Sequence, residues 1–196
     1  MEMDNLINNF NVYRRIAING MESYLECEEK KKICNSICMG DDGIQFGYEL
    51  NTKMYEFAVQ AIIFSALSLE AFANDFLVVN LGKSEFELLD KLDIKAKILI
   101  GTKMITKKSF SKEKDAYQKM LNLIRLRNKL VHAKSINTDS EAAEIYIKIA
   151  KEDIENAILT YKLVIEEIDS LAPYLKIKEE YLLPDEQLRS WYYIHA

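Results

Sequence analysis

The chain has 196 residues, of which 49% are hydrophobic and 29% are charged, with six Gly, two Pro and a net charge of −5. This length fits one domain with a core of its own, and the apolar fraction excludes a disordered chain. So few Gly and Pro residues leave little turn material for a many-stranded sandwich or barrel. We therefore expect an all-α protein.

The spacing of apolar residues predicts two helices in the first half of the chain. The first runs from about residue 4 into the thirties and ends at the turn-forming stretch 39–43. Segment 44–50 is short and aromatic, and we predict a short irregular or hairpin insertion there. The second helix covers about 52–80 and is apolar nearly all round, which is typical of a central helix buried by its neighbours.

Three more helices are predicted in the second half. The third helix covers about 84–100 and is followed by a basic loop, 101–114. The fourth helix follows this loop and ends near 133. The fifth begins between 139 and 151 and ends at 171, before Pro173. The fold class is thus an up-and-down helical bundle of about five helices in one domain, 1–196. Its core covers about 52–171, and the first helix and the aromatic tail 176–196 are embellishments. The tail either packs back on the bundle or meets a partner.

Several features bear on the cellular compartment. The acidic N-terminus has no apolar core and does not resemble a secretory signal. The apolar stretch 57–76 is interrupted by polar residues, so we expect a buried core helix and no membrane span. Three cysteines without a Cys-x-x-Cys pair argue against a disulfide framework. Cys34 and Cys38 share a helical face but lack companions at ligand spacing, so small core residues are the better interpretation than a metal site. We expect a cytoplasmic protein without metal or cofactor.

The charge is unevenly distributed along the chain. Between Ile94 and Lys134 there are twelve basic residues against two acidic ones, so this segment carries +10 and the remainder −15. Such a segment is either a solvated helix face with a Lys-rich loop or a basic surface for an anionic partner.

A polar group lies inside this basic segment, near the end of the fourth predicted helix. Asn128 and His132 are four residues apart and share a helical face. Arg127 and His132 are about 140° apart on an ideal helix, so they converge only where the helix bends or ends, or where a second subunit closes the site. The apolar stripe of this helix continues onto Arg127 and Asn128, which therefore need polar partners. The central helix offers Glu70, with Asn74 and Ser65 nearby, and we predict a Glu70–Arg127 ion pair.

These residues resemble a known family. Arg-Asn-x-x-x-His at the end of a helix, after a helix that reads Ser65-Ala-Leu-Ser-Leu-Glu70-Ala-Phe-Ala-Asn74, resembles the HEPN (higher eukaryotes and prokaryotes nucleotide-binding) domain over roughly 52–171. HEPN proteins are helical bundles with the signature Arg, four to six residues, His. Arg127 and His132 match its short form, and Asn128 matches the polar residue that commonly follows the Arg.

The resemblance implies a metal-independent endoribonuclease of the toxin or antiphage-defence kind, with its site built across a homodimer. RNA supplies the 2′-hydroxyl nucleophile, so His132 would exchange protons and Arg127 would hold the phosphate. Asn128 would orient His132 or donate to the phosphate. The cations expected to hold the RNA backbone are Arg125, Lys129, Lys134, Lys107 and Lys108. A protein antitoxin is a possible further partner.

Two other interpretations stay open. One is a catalytically inactive HEPN-like module that binds RNA, nucleotide or a protein partner. The other is an unrelated helical scaffold in which His132 only caps a helix. No motif supports another enzyme class, because the sequence lacks a Gly-rich phosphate loop, a Gly-x-Ser-x-Gly elbow and a His-Glu-x-x-His helix.

Overall fold

The structure is a computed structural model that describes residues 9–37, 41–132 and 149–184. Within these ranges the chain is all-α and contains no strand, so the predicted fold class is confirmed at that level. The helices are α1 (Asn9–Ile37), α2 (Asp41–Leu81), α3 (Lys83–Leu89), α4 (Ile94–Thr106), α5 (Asp115–Val131), α6 (Lys151–Leu171) and α7 (Ile177–Tyr181), with a 3₁₀ turn, Pro173–Leu175, before α7.

The predicted insertion at 44–50 is wrong, because these residues form the first turns of α2. Gly43 and Gly47 lower the helix propensity of this segment, which explains why its sequence is typical of a loop. Packing against α1 holds it helical: Leu50 is buried, and Lys31 Nζ donates to Asn51 Oδ1 across 2.7 Å.

The predicted helix at 84–100 is divided into α3 and α4. Asp93 begins α4, because its carboxylate accepts the backbone N–H of Ala96 at 2.7 Å and caps the new helix. The helix then continues through Gly101 to Thr106, so the basic loop is shorter than predicted and covers 107–114.

The two longest helices, α1 and α2, form an antiparallel hairpin. Ser68 Oγ donates to the carbonyl of Phe10 at 3.0 Å near one end, and Gln60 Nε2 donates to the carbonyl of Ile16 at 3.1 Å further along. The backbones approach closely at Gly20, where an added Cβ would lie 3.0 Å from the carbonyl oxygen of Phe57. An alanine here would push the two backbones apart by a few tenths of an ångström, so glycine favours this close approach.

Helices α5 and α6 are also antiparallel and pack against α2. Lys114 at the start of α5 bonds Glu167 near the end of α6 (2.6 Å), and Lys119 bonds Asn156 in the first half of α6 (2.6 Å). The C-terminal end of α5 therefore lies toward the N-terminal end of α6. The core residues between these helices include Ile62, Leu69 and Phe76 of α2, Met120 and Leu123 of α5, and Val164 and Ile168 of α6.

The far end of the described chain closes this core. Tyr181 of α7 is buried, and its ring lies 5.2 Å from Phe10 and 5.0 Å from Phe72. The phenol of Tyr161 donates to the Tyr181 carbonyl at 3.1 Å. This part of the tail therefore packs back on its own bundle; the rest of the tail, from residue 185, lies outside the described residues.

By length and composition, Gly43–Leu81 within α2 is apolar enough to cross a membrane, with a mean hydropathy of 1.7 over its most apolar window. Half of that window is buried within the bundle, and the central helix of a soluble domain meets the same criterion. A single such helix among the described residues is weak evidence for a membrane span.

Candidate functional site at the C-terminal end of α5

The last two turns of helix α5 lie at the edge of the core. Leu123 is its last fully buried residue, and Arg125 and Lys129 beyond it are exposed. The helix stops at Val131, whose side chain is 51% exposed. The final two turns of α5 thus have one face exposed to a ligand or another subunit, whereas Leu126 and Leu130 on the other face still pack against the core.

The three residues of the Arg-Asn-x-x-x-His motif all lie on this surface. Arg127 is half-buried, and Asn128 and His132 are exposed. One Nη of Arg127 donates to Asn128 Oδ1 at 3.0 Å. The backbone N–H of His132 donates to the Asn128 carbonyl at 3.0 Å and closes the helix, so His132 is the C-terminal cap residue. Asn128 therefore contacts both of the other residues.

The side chains of Arg127 and His132 do not bond each other in this chain. The helix ends at His132, as the geometry of the motif requires, but the Arg127 guanidinium is directed to Asn128. Among the described residues no carboxylate bonds the His132 imidazole. Any further group that orients the imidazole must come from outside the described part of the chain.

The predicted Glu70–Arg127 ion pair is wrong for the described chain. Glu70 is half-buried and lines an open groove of about 650 Å³ together with residues of α1 and α3, among them Tyr13 and Phe86. None of the residues that line this groove belongs to α5, the helix that carries Arg127. Glu70 follows Leu69, which is fully buried, and one residue turns a helix by about 100°. The carboxylate is therefore rotated out of the packed face of α2, and the partly exposed Arg127 needs no buried counter-charge.

Asn74 and Ser65 are also separate from the motif. Asn74 Oδ1 accepts a hydrogen bond of 2.8 Å from Nζ of Lys97, a lysine that is only 3% exposed. Lys97 also lies 3.6 Å from the Asp90 carboxylate, so Asn74 helps to satisfy a buried cation that the sequence analysis missed. Ser65 is 3% exposed, and its Oγ has no hydrogen-bond partner. The structure thus brings none of the three supporting residues to Arg127.

The predicted RNA-binding cations fall into two groups. Arg125 and Lys129 share the end of α5 with the motif. Lys107 and Lys108 precede the start of α5, so the 17-residue helix separates them from His132 by about 25 Å. Their ammonium groups bond backbone carbonyls at helix ends, Lys107 to Met104 at 2.8 Å and Lys108 to Leu171 at 2.8 Å. Lys134 lies outside the described residues.

The N-terminal end of α6, toward which the C-terminal end of α5 lies, carries an ion pair. Lys151 Nζ lies 3.1 Å from Glu28 of α1. The hydrogen bond from Lys151 lowers the pKa of the Glu28 carboxyl, and the same bond raises the pKa of Lys151. This pair fixes α6 on α1 and leaves neither charge for the motif.

Titratable groups with shifted pKa values lie beside the groove that contains Glu70. Burial raises the pKa of the Tyr181 phenol, and its 2.8 Å hydrogen bond to Asp75 raises it further. Burial, followed by the charge of Asp75, also raises the pKa of Glu180. These residues come from α2 and α7, which are about 100 positions apart in the sequence, so no local spacing could have predicted that they meet.

Comparisons with protein-family models, with curated proteins and with solved structures found no significant match for this chain. The fold and the surface at the end of α5 are therefore interpreted from their own chemistry.

Proposed function

We propose that the chain is a metal-independent endoribonuclease of the HEPN type, with Arg127, Asn128 and His132 as its catalytic residues. The observation that carries the proposal is the grouping of these three side chains on the solvent-exposed end of α5, where a phosphodiester can reach them. A role as toxin or antiphage effector in the cytoplasm, with a protein antitoxin, belongs to the same proposal.

The reaction needs only proton transfer and charge stabilisation from the protein. The 2′-oxygen attacks the adjacent phosphorus and loses its proton, and the 5′-oxygen leaves and gains one. The products are a 2′,3′-cyclic phosphate and a 5′-hydroxyl. An imidazole can both take up and release a proton near neutral pH, so His132 is suited to either proton transfer. Arg127 stabilises the charge that develops on the phosphate oxygens, and the Asn128 amide holds the guanidinium in place.

A homodimer supplies what one chain lacks. We propose that two α5 ends meet across a two-fold axis, so that a second His132 provides the other proton transfer and the second Arg127 completes the phosphate clamp. The antiparallel pairs α1–α2 and α5–α6 support the up-and-down arrangement of the bundle, in which such an end-to-end contact leaves the core undisturbed. The exposed Val131 beside the motif provides apolar surface for that contact.

The test is RNA cleavage in the presence of a metal chelator. Purified protein is incubated with a mixed RNA pool and EDTA, and the product ends are mapped by their reactivity toward kinase and ligase. We expect cyclic-phosphate ends from the native chain. We expect a loss of at least about 100-fold in rate for His132→Ala, since general acid–base catalysis contributes roughly that much, and a comparable loss for Arg127→Ala.

The matched control is His195→Ala, which removes the only other histidine of the chain and should leave cleavage unchanged. Circular dichroism and the oligomeric mass verify that each variant is folded and assembled. Cleavage that survives both His132→Ala and Arg127→Ala would show that the site is assigned wrongly.

A second candidate is an inactive HEPN-like module that binds RNA, nucleotide or a protein partner. It is favoured by the separation of Glu70, Asn74 and Ser65 from the motif and by the lack of a carboxylate on His132 among the described residues. Such a module would bind RNA with a strong dependence on salt concentration and would yield no cyclic-phosphate ends.

A further inference from the structure

A second feature of the molecule is an apolar groove on α4, here named the α4 groove. It has a volume of about 440 Å³ and lies between α4 and the loop 107–114. Its apolar lining residues are Leu99, Ile100, Met104 and Phe110, here called the floor. Two exposed lysines, Lys103 and Lys112, also line it and are here called the rim.

The floor of the α4 groove exposes apolar surface that the bundle does not cover. Ile100 and Met104 lie one helical turn apart and are 40% and 39% exposed. Phe110 lines the same groove and is itself buried. Aliphatic and thioether side chains can accept apolar side chains of varied shape, because methionine adapts its rotamers to its partner.

The two lysines at the rim carry charge that no described residue neutralises. Lys103 and Lys112 are exposed, and among the described residues no carboxylate lies within ion-pair distance of either ammonium group. Two nearby lysines differ in this respect, since Lys114 is paired with Glu167 at 2.6 Å and Lys119 with Asp115 at 3.6 Å. The charge at the rim is therefore available to a partner.

We propose that the α4 groove binds an acidic, amphipathic segment of a partner protein, with apolar side chains on the floor and carboxylates against Lys103 and Lys112. Charge complementarity at the rim and an apolar centre are the usual anatomy of a peptide-binding groove. RNA suits the groove less well, because bases stack on exposed aromatic faces and the only ring here, Phe110, is buried.

This surface is independent of the proposed ribonuclease site. The groove lies beside the residues that precede α5, whereas His132 ends that helix about 25 Å away. Occupancy of the groove therefore leaves the motif accessible, and binding can be measured without reference to cleavage.

The test is a selection from a displayed library of random 16-residue peptides on the full-length protein. Affinities of the enriched peptides are then measured by fluorescence anisotropy at two salt concentrations. We expect enriched peptides to carry Leu, Ile, Phe or Met at helical spacing with a net negative charge. We expect Lys103→Glu combined with Lys112→Glu to weaken binding about tenfold, and Met104→Ser to weaken it by a similar factor through lost apolar contact.

The matched control is Lys53→Glu combined with Lys162→Glu, which makes the same change of net charge at exposed lysines elsewhere and should leave the affinity unchanged. His132→Ala should bind the peptides as the native chain does. The proposal is overturned if no peptide is enriched, if the groove double variant retains full affinity, or if an oligonucleotide or oleate displaces the peptides and binds more tightly than they do.

Discussion

Tyr181 shows how one buried phenol links stability to pH. Its hydroxyl donates to the Asp75 carboxylate at 2.8 Å, and burial and this bond raise its pKa above the ordinary value for tyrosine. Burial also raises the pKa of Tyr161. The native state keeps both phenols protonated at a pH where the unfolded chain ionises, so unfolding releases protons and stability falls as the pH rises above about 10.

We predict that Tyr181→Phe lowers the free energy of unfolding by about 1.5 kcal/mol at pH 7, because Asp75 loses its donor. The loss of stability between pH 9 and 11 should also be shallower than in the native chain. Denaturant unfolding followed by circular dichroism measures both effects. Tyr174→Phe is the control, since Tyr174 is exposed, and equal pH dependence in the Tyr181 variant and the native chain would refute the linkage.

The sequence predicts where the motif residues lie along their own helix, but it does not predict the proposed ion pair with Glu70 of another helix. Spacing alone predicts that Asn128 and His132 share a face near a helix end, with Arg127 about 140° from His132, because the turn of a single helix is regular. The partner of Glu70 could not be predicted this way, since one residue of rotation moves the carboxylate from the packed face of α2 into the groove beside α3. Contacts between helices depend on angles that local periodicity does not specify.

At the scale of an element, Gly20 of α1 and Gly47 of α2 differ in the space available for a side chain. An added Cβ at Gly20 would meet the backbone oxygen of Phe57 at 3.0 Å and the backbone nitrogen of Ala61 at 3.1 Å, whereas at Gly47 it would meet nothing within 4 Å. We predict that Gly20→Ala destabilises the protein by about 1–3 kcal/mol by forcing the helices apart. Gly47→Ala should stabilise it by about 0.5–1 kcal/mol through helix propensity.

The two alanine variants serve as controls for each other in thermal and denaturant unfolding, because the chemical change is the same. A stabilised Gly20→Ala variant would mean that the α1–α2 backbones are further apart than the structure shows.

Helix boundaries show the same limit of sequence information. The sequence predicts a basic loop from Gly101 onward, yet Gly101 lies inside α4 and is buried, although glycine is a poor helix former. An added Cβ would clash with Cδ2 of Leu77, so the glycine permits close packing of α4 on α2. The helical identity of the long apolar stretches was predictable, but a glycine that serves packing could not be distinguished from one that breaks a helix.

At the scale of the molecule, a site shared by two chains predicts the mass of the protein in solution. If two α5 ends form the site, light scattering should give twice the 22.7 kDa chain mass. Val131→Glu should shift the protein toward the monomer and reduce cleavage in parallel, because a charge would enter the apolar contact. Val79→Glu, at an exposed valine of α2, is the control, and a fully active monomer would exclude the shared site.

The aromatic contacts of Tyr181 also affect how the protein is made. The ribosome completes the N-terminal part first, so Phe10 and Phe72 leave the exit tunnel more than 100 residues before the ring that covers them. During this interval the nascent chain exposes an apolar surface that its own sequence cannot yet bury. Completion of this part of the core therefore depends on synthesis of α7, and a chain that stops short of α7 leaves this aromatic surface uncovered.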